Sequence, residues 1–202
     1  MTNQGFSLVE TLVVVGIVGL ISVVLGTFQV SIFQQNNFLA QSIQAEQDAR
    51  FALKRIVTEL RQAGPSDTGV YPIALADKDK LTFYSDIDGN NAHERLRYFL
   101  SGVGSTTLSR GLLKPTGNPL AYVEANEQVG TVITNIKNNG GQIFSYYDKN
   151  YAGTSTPLTI PPNIPAIRLV KVSFLVDLDP NRAPASVLFE SQVVIRSLKD
   201  NL

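Results

Sequence analysis

The run from Phe6 to Leu25 most constrains this chain: it is apolar almost throughout and contains a single acid, Glu10. As helix, those 20 residues span roughly 30 Å, the thickness of a bilayer hydrocarbon core. Glu10 is also the only charged residue before Glu46. An ionisable group inside a membrane segment costs on the order of 2.5 to 3.5 kcal/mol at mid-bilayer and less near an interface, so by default it marks function. The competing reading makes Glu10 a helix N-terminal acid stabilised by the macrodipole.

A secretory signal peptide needs a basic start, a short apolar core and a small-residue cleavage site after that core. None of these is present. The small residue placed for cutting is Gly5, ahead of the apolar run, so cleavage there leaves the hydrophobic helix on the mature chain.

The segment Gly5-Phe6-Ser7-Leu8-Val9-Glu10-Thr11-Leu12 resembles the class III signal of type IV prepilins, in which a glycine precedes an aromatic residue and a glutamate follows at the fifth mature position. The resemblance implies a leader at residues 1–5, cleavage between Gly5 and Phe6 by a prepilin peptidase, and N-methylation at Phe6. It also implies an assembly role for Glu10 and packing of the apolar helix into a filament core. Family leaders usually carry Lys or Arg, whereas here the first basic residue is Arg50. Charge near the span therefore does not set its orientation, and a cytoplasmic-in topology rests on the motif. Gly26-Thr27 stands where the family often has a helix-bending proline; Gly16, Gly19 and Gly26 permit close helix packing or soften the helix.

The chain has 202 residues, 44% of them hydrophobic, with 17 basic and 17 acidic side chains. This neutral balance gives no bulk attraction to nucleic acid or anionic lipid. The absence of cysteine removes thiol chemistry and any disulfide evidence about compartment.

Beyond Leu25 the pattern turns one-sided. Phe28, Ile32, Leu39 and Ile43 recur among glutamines and asparagines. Ala49, Leu53, Ile56, Leu60 and Ala63 then alternate at spacings of four and three, with Arg50, Lys54, Arg55, Glu59 and Arg61 mostly off the stripe. This predicts an amphipathic helix, ended at Gly64-Pro65 by a glycine cap and a proline that cannot continue it. The expected division is a membrane or filament-core helix at 6–28, a helical spine at 29–64 and a β-rich head at 65–202.

In the head, strand-like runs cover Leu81 to Ser85, Arg95 to Leu100, Val129 to Ile136, Gln142 to Tyr147, Ile167 to Leu178 and Ser186 to Ile195. Turn chemistry separates them at Asp88-Gly89-Asn90-Asn91, Asn138-Asn139-Gly140-Gly141 and Asp179-Pro180-Asn181-Arg182. Alternation places Val170, Val172, Phe174 and Val176 on the core side of their strand. Proline-rich Thr154 to Pro165 reads as a loop or edge segment. The fold class is α+β, with the helix spine on one or two antiparallel sheets.

Phe51 to Gly64 also resembles the helix end of the W-type minor pilins of type IV pili and of the J-type pseudopilin of type II secretion. Asp86 to Gly89, Glu94 to Leu100 and Thr107 to Arg110 are similar to the hairpin that follows there, and Phe144 to Tyr147 and Ile167 to Ser173 to later strands. The resemblance implies a pilin-like fold and a minor pilin that initiates or caps a pilus. The J-type pseudopilin is the first alternative; a tip adhesin or DNA-capturing module is an alternative of another class.

Other candidate sites have blander readings. Asp86-Ile87-Asp88-Gly89-Asn90 offers oxygen ligands for calcium, but Gly89 comes two positions early for an EF-hand and Arg97 stands where its bidentate acid belongs. A hairpin turn is favoured. His93, the only histidine, is expected in a solvated loop, and one histidine without cysteine cannot build a structural zinc site. Gly102-Val103-Gly104-Ser105 lacks the third glycine of a dinucleotide fingerprint and reads as a turn. Arg95 and Arg97, beside Tyr98 and Phe99, suit either stacked nucleic acid or cross-strand ion pairs, the second being favoured.

No esterase elbow, Walker loop or His-Glu-x-x-His helix appears. The expectation is a non-enzymatic protein without catalytic residues, cofactor or metal. Its expected partners are the prepilin peptidase, other minor pilins, the major pilin and the inner-membrane assembly platform, with no nucleic acid. It is placed as a single-pass inner-membrane protein with an extracytoplasmic head, entering the pilus after assembly.

Overall fold

The computed structural model describes residues 7–101, 106–138, 141–177 and 186–198. They form an α+β arrangement: one long N-terminal helix, α1 (Leu8–Arg61), then eight strands in two antiparallel sheets. The arrangement is compatible with a pilin-like fold. The chain divides into two units, Met1–Gln44 and Ala45–Leu202. Cleavage and methylation at Gly5 and Phe6 fall outside the described residues.

In the first unit Ser7 precedes the helix, and its Oγ accepts a hydrogen bond from the Glu10 amide at 3.2 Å. That is one half of a capping box, whose sequence signature Ser-x-x-Glu is present at residues 7–10. Thr11, Ser22 and Thr27 donate their hydroxyls to the carbonyls of Leu8, Val18 and Val24. This satisfies polar groups within an apolar run. Among the described residues, α1 is the one helix long and apolar enough to cross a membrane, and none of its most apolar stretch is buried. Apolar exposure continues past the run, at Phe28, Val30, Ile32, Phe33, Leu39 and Ile43.

In the second unit the helix is one layer of a sheet-packed core. Ala49, Ala52, Ile56, Leu60 and Ala63 are buried in one cluster with residues of both sheets. Of the predicted stripe, Leu53 is only half-buried, and Ala52 takes a place in the core beside the stripe positions. The helix ends at Arg61, but not through a left-handed glycine: no positive φ occurs at Gly64. Instead the Gly64 amide bonds to the Tyr84 carbonyl at 3.0 Å and Ala63 bridges Ser85, so the chain leaves the helix by joining the sheet. A Cβ at Gly64 would lie 2.6 Å from His93 Nε2, so glycine here serves close packing.

The larger sheet has the order β1 (Ile73–Ala76), β2 (Lys80–Ser85), β3 (Glu94–Leu100), β4 (Leu108–Leu113) and β5 (Gln128–Ile133). Two of these, β1 and β4, lack readable alternation. β1 has four residues, and Arg110 and Gly111 interrupt the apolar pattern of β4. β5 stops short of its predicted end because Asn135 adopts φ 61°, and Ile136 crosses to bridge Val176 in the second sheet. The smaller sheet is β6 (Phe144–Tyr147), β7 (Leu169–Val176) and β8 (Val187–Val194). β7 alternates as expected, with Val170, Val172, Phe174 and Val176 buried. Of the expected turns, Asp88 to Asn91 closes the β2–β3 hairpin, whereas Asp179 to Arg182 and much of Asn138 to Gly141 lie outside the described residues.

Because the second unit contains all the described strands and most of the buried helix face, and residue 29 precedes the remaining buried helix positions Phe38 and Ser42, a chain beginning there should unfold cooperatively without detergent. Thermal denaturation followed by circular dichroism checks this; purification only in detergent, or a gradual melt, would contradict it.

Candidate functional site

The N-terminal stretch and the head carry separate chemistry. Glu10 lies in the first turn of α1, exposed, and its carboxylate has no partner among the described residues. Both readings of this acid agree with that placement: it faces the positive end of the helix dipole, and it is free to meet a cation on another molecule.

The head's strongest electrostatic feature was hidden in the sequence, where Glu59 looks like one more charge off the apolar stripe. It is buried. Its carboxylate accepts from Arg110 Nε at 3.0 Å and Nη2 at 2.9 Å, from Tyr98 hydroxyl at 2.5 Å and from Arg55 Nε at 3.1 Å. Its main-chain carbonyl accepts from Ser85 Oγ at 2.9 Å. Tyr98 and Arg110 are direct partners across β3 and β4, so both side chains rise from one face of the sheet toward the helix. Burial works against the Arg110 charge, but the Glu59 carboxylate outweighs it and holds the guanidinium above its ordinary value. Burial, reinforced by Glu59, pushes the Tyr98 phenol far above its usual range and keeps it a neutral donor.

On the opposite face of β3, Arg95 makes a bidentate pair with Glu124, and Arg97 with Glu127. Arg97 also lies 4.2 Å over the Phe99 ring. Gly111, across from Arg97, leaves the space that Glu127 fills, since a Cβ there would collide with its carboxylate. The two arginines are therefore committed to ion pairs, but their partners lie in and at the end of the short helical turn ahead of β5 and not, as expected, on a neighbouring strand.

Asp86, Asp88 and Glu94 bring carboxylate oxygens within 4.8 Å of one another. Asp86 organises the turn, accepting from the amides of Gly89, Asn90 and Asn91 at 2.8, 3.2 and 2.9 Å. Buried Glu94 accepts from the Ile87 amide at 3.1 Å. The cation among them is Lys114, whose ammonium lies 2.8 Å from Asp88 and 3.8 Å from Glu94. Its hydrogen bond holds Asp88 below the usual carboxylate range. The local charge is thus met by a side chain, and the turn reading fits the geometry.

His93 lies in the loop before β3, as expected, but is less solvated than expected. It is half-buried on Gly64, its amide donates to Asp67 Oδ2 at 2.9 Å, and its carbonyl accepts from the Tyr122 hydroxyl at 2.6 Å. Burial pushes the Tyr122 phenol up to about 12. Gly102 to Ser105 falls outside the described residues. No family model, curated protein or solved structure matches this chain.

Proposed function

We propose that this chain is a minor type IV pilin that takes part in initiating or capping a pilus, anchored by α1 in the inner membrane with its head on the extracytoplasmic side. The observation that carries the reading is the Gly5-Phe6-Ser7-Leu8-Val9-Glu10 motif at the start of a helix whose most apolar stretch is wholly exposed. A helix with that surface needs lipid or other helices around it. The exposed Val30, Ile32, Phe33, Leu39 and Ile43 extend the apolar surface beyond the length a bilayer requires, which favours neighbouring subunits as its second environment. In this reading the prepilin peptidase cuts after Gly5 and Phe6 becomes the methylated N-terminus. The assembly platform, the major pilin and other minor pilins then surround the helix. No residue is assigned a catalytic role.

An initiating subunit is needed in few copies, so deleting the gene should reduce the number of pili per cell far more than their length. Electron microscopy of a deletion strain supplies the count. Normal piliation with failed protein secretion would instead identify a J-type pseudopilin, and normal piliation with lost adhesion or DNA uptake a tip-binding module.

A further inference from the structure

We propose that the groove between α1 and the outer edge of β8 receives an extended acidic segment of a partner protein as an added strand. β8 is an edge strand, and among the described residues no main-chain hydrogen bond reaches the outer side of Val187–Val194. Sheet edges are ordinarily protected by lysine, proline or a bulge. β8 has none of these: its register with β7 runs unbroken from Leu169–Val194 to Val176–Val187, whereas the β1–β2 and β4–β5 ladders are both interrupted. Its one charge, Glu190, is already paired with Lys171 at 2.7 Å.

The groove beside this edge is lined by Arg50, Leu53, Lys54, Val57, Thr58 and Arg61 on the helix and by 187–191 on the strand. Leu53 and Val57 remain half-buried, because the sheet stops at β8 before the helix flank is covered. Lys54 and Arg61 have no carboxylate partner among the described residues, and Arg50 lies 5.6 Å over the Phe189 ring. Three cations therefore border a sheet edge that offers unpaired main-chain groups. On the other face of β8, Leu188 and Val194 are 57% and 48% exposed.

A strand added to β8 would point alternate side chains toward the helix and away from it. Acids on the first face meet Arg50, Lys54 and Arg61, their methylenes covering Leu53 and Val57; apolar residues on the second face pair with Leu188 and Val194. This chemistry defines the partner as an extended segment alternating acidic and β-branched apolar residues. The surface uses the C-terminal part of α1, not its apolar N-terminal stretch, and does not depend on the pilin reading.

The test uses the full-length protein in detergent micelles and a fluorescent synthetic peptide alternating glutamate and valine, read by anisotropy. Saturable binding is expected, weakened about tenfold by combining Lys54→Glu with Arg61→Glu. Lys80→Glu, an exposed charge reversal on β2 of the larger sheet, should leave it unchanged. Methylating alternate main-chain nitrogens of the peptide should weaken binding by a similar factor, because it removes the ladder bonds. Circular dichroism establishes that the variants are folded. The proposal is overturned if the glutamate peptide does not bind, if a lysine–valine peptide or the methylated peptide binds equally, or if oligothymidylate competes at matched charge, which would indicate a nucleic-acid surface.

Discussion

Glu59→Leu should cost the head about 3 to 5 kcal/mol, the loss expected when one member of a buried ion pair is removed and its partner stays charged. Arg110 would keep its guanidinium inside the protein with no carboxylate, and Tyr98 would lose the acceptor of its hydroxyl. Urea denaturation of the 29–202 chain at neutral pH gives the value. Replacing both partners, Glu59→Leu with Arg110→Met, should recover the part of the loss due to the stranded guanidinium, leaving the cost of the unpaired Tyr98 hydroxyl. A loss below about 1 kcal/mol for the single variant would mean that water already solvates the pair.

Glu10→Val should leave the protein made and inserted, since removing an acid lowers the cost of placing the helix in lipid. Under the proposed function it should nevertheless be recovered poorly in sheared pili and in crosslinks to other minor pilins. The reason is its proposed partner: after cleavage at Gly5, the amine of Phe6 on a neighbouring subunit would sit in a filament core of low dielectric. Left without an acid there, it costs several kcal/mol. Intact mass establishes that the variant is still cut after Gly5, and immunoblots of the pilus fraction at matched expression supply the recovery. Recovery equal to that of the unaltered protein would make Glu10 a bystander, consistent with its place at the positive end of the helix dipole.

Much of the fold can be read along the chain because burial imposes periodicity. The stripe of Ala49, Ile56 and Leu60 and the alternation of β7 each face one core, and each is visible as spacing. The failures occur where polar groups do the work of apolar ones. β4 is hard to read because Arg110 points inward, and Arg110 can point inward only because Glu59 meets it from the helix, 51 positions away. Neither residue signals this alone, and a pairing at that separation leaves no local pattern. Gly64 was legible as a helix boundary but not in its mechanism, since the contact that requires it comes from His93. The capping pattern Ser7 to Glu10 is local, and its residues are shared with the cleavage motif.

The Glu59 cluster also sets how the head is indexed on its helix. Shifting the helix by one turn against the sheet would bring either Arg55 or Ala63 to the place of Glu59, and Arg110 would face a like charge or a methyl group. Apolar packing alone tolerates small sliding, because one aliphatic side chain resembles the next. A single carboxylate held by two strands does not, so a pull along the helix axis is resisted at one defined register until that contact breaks.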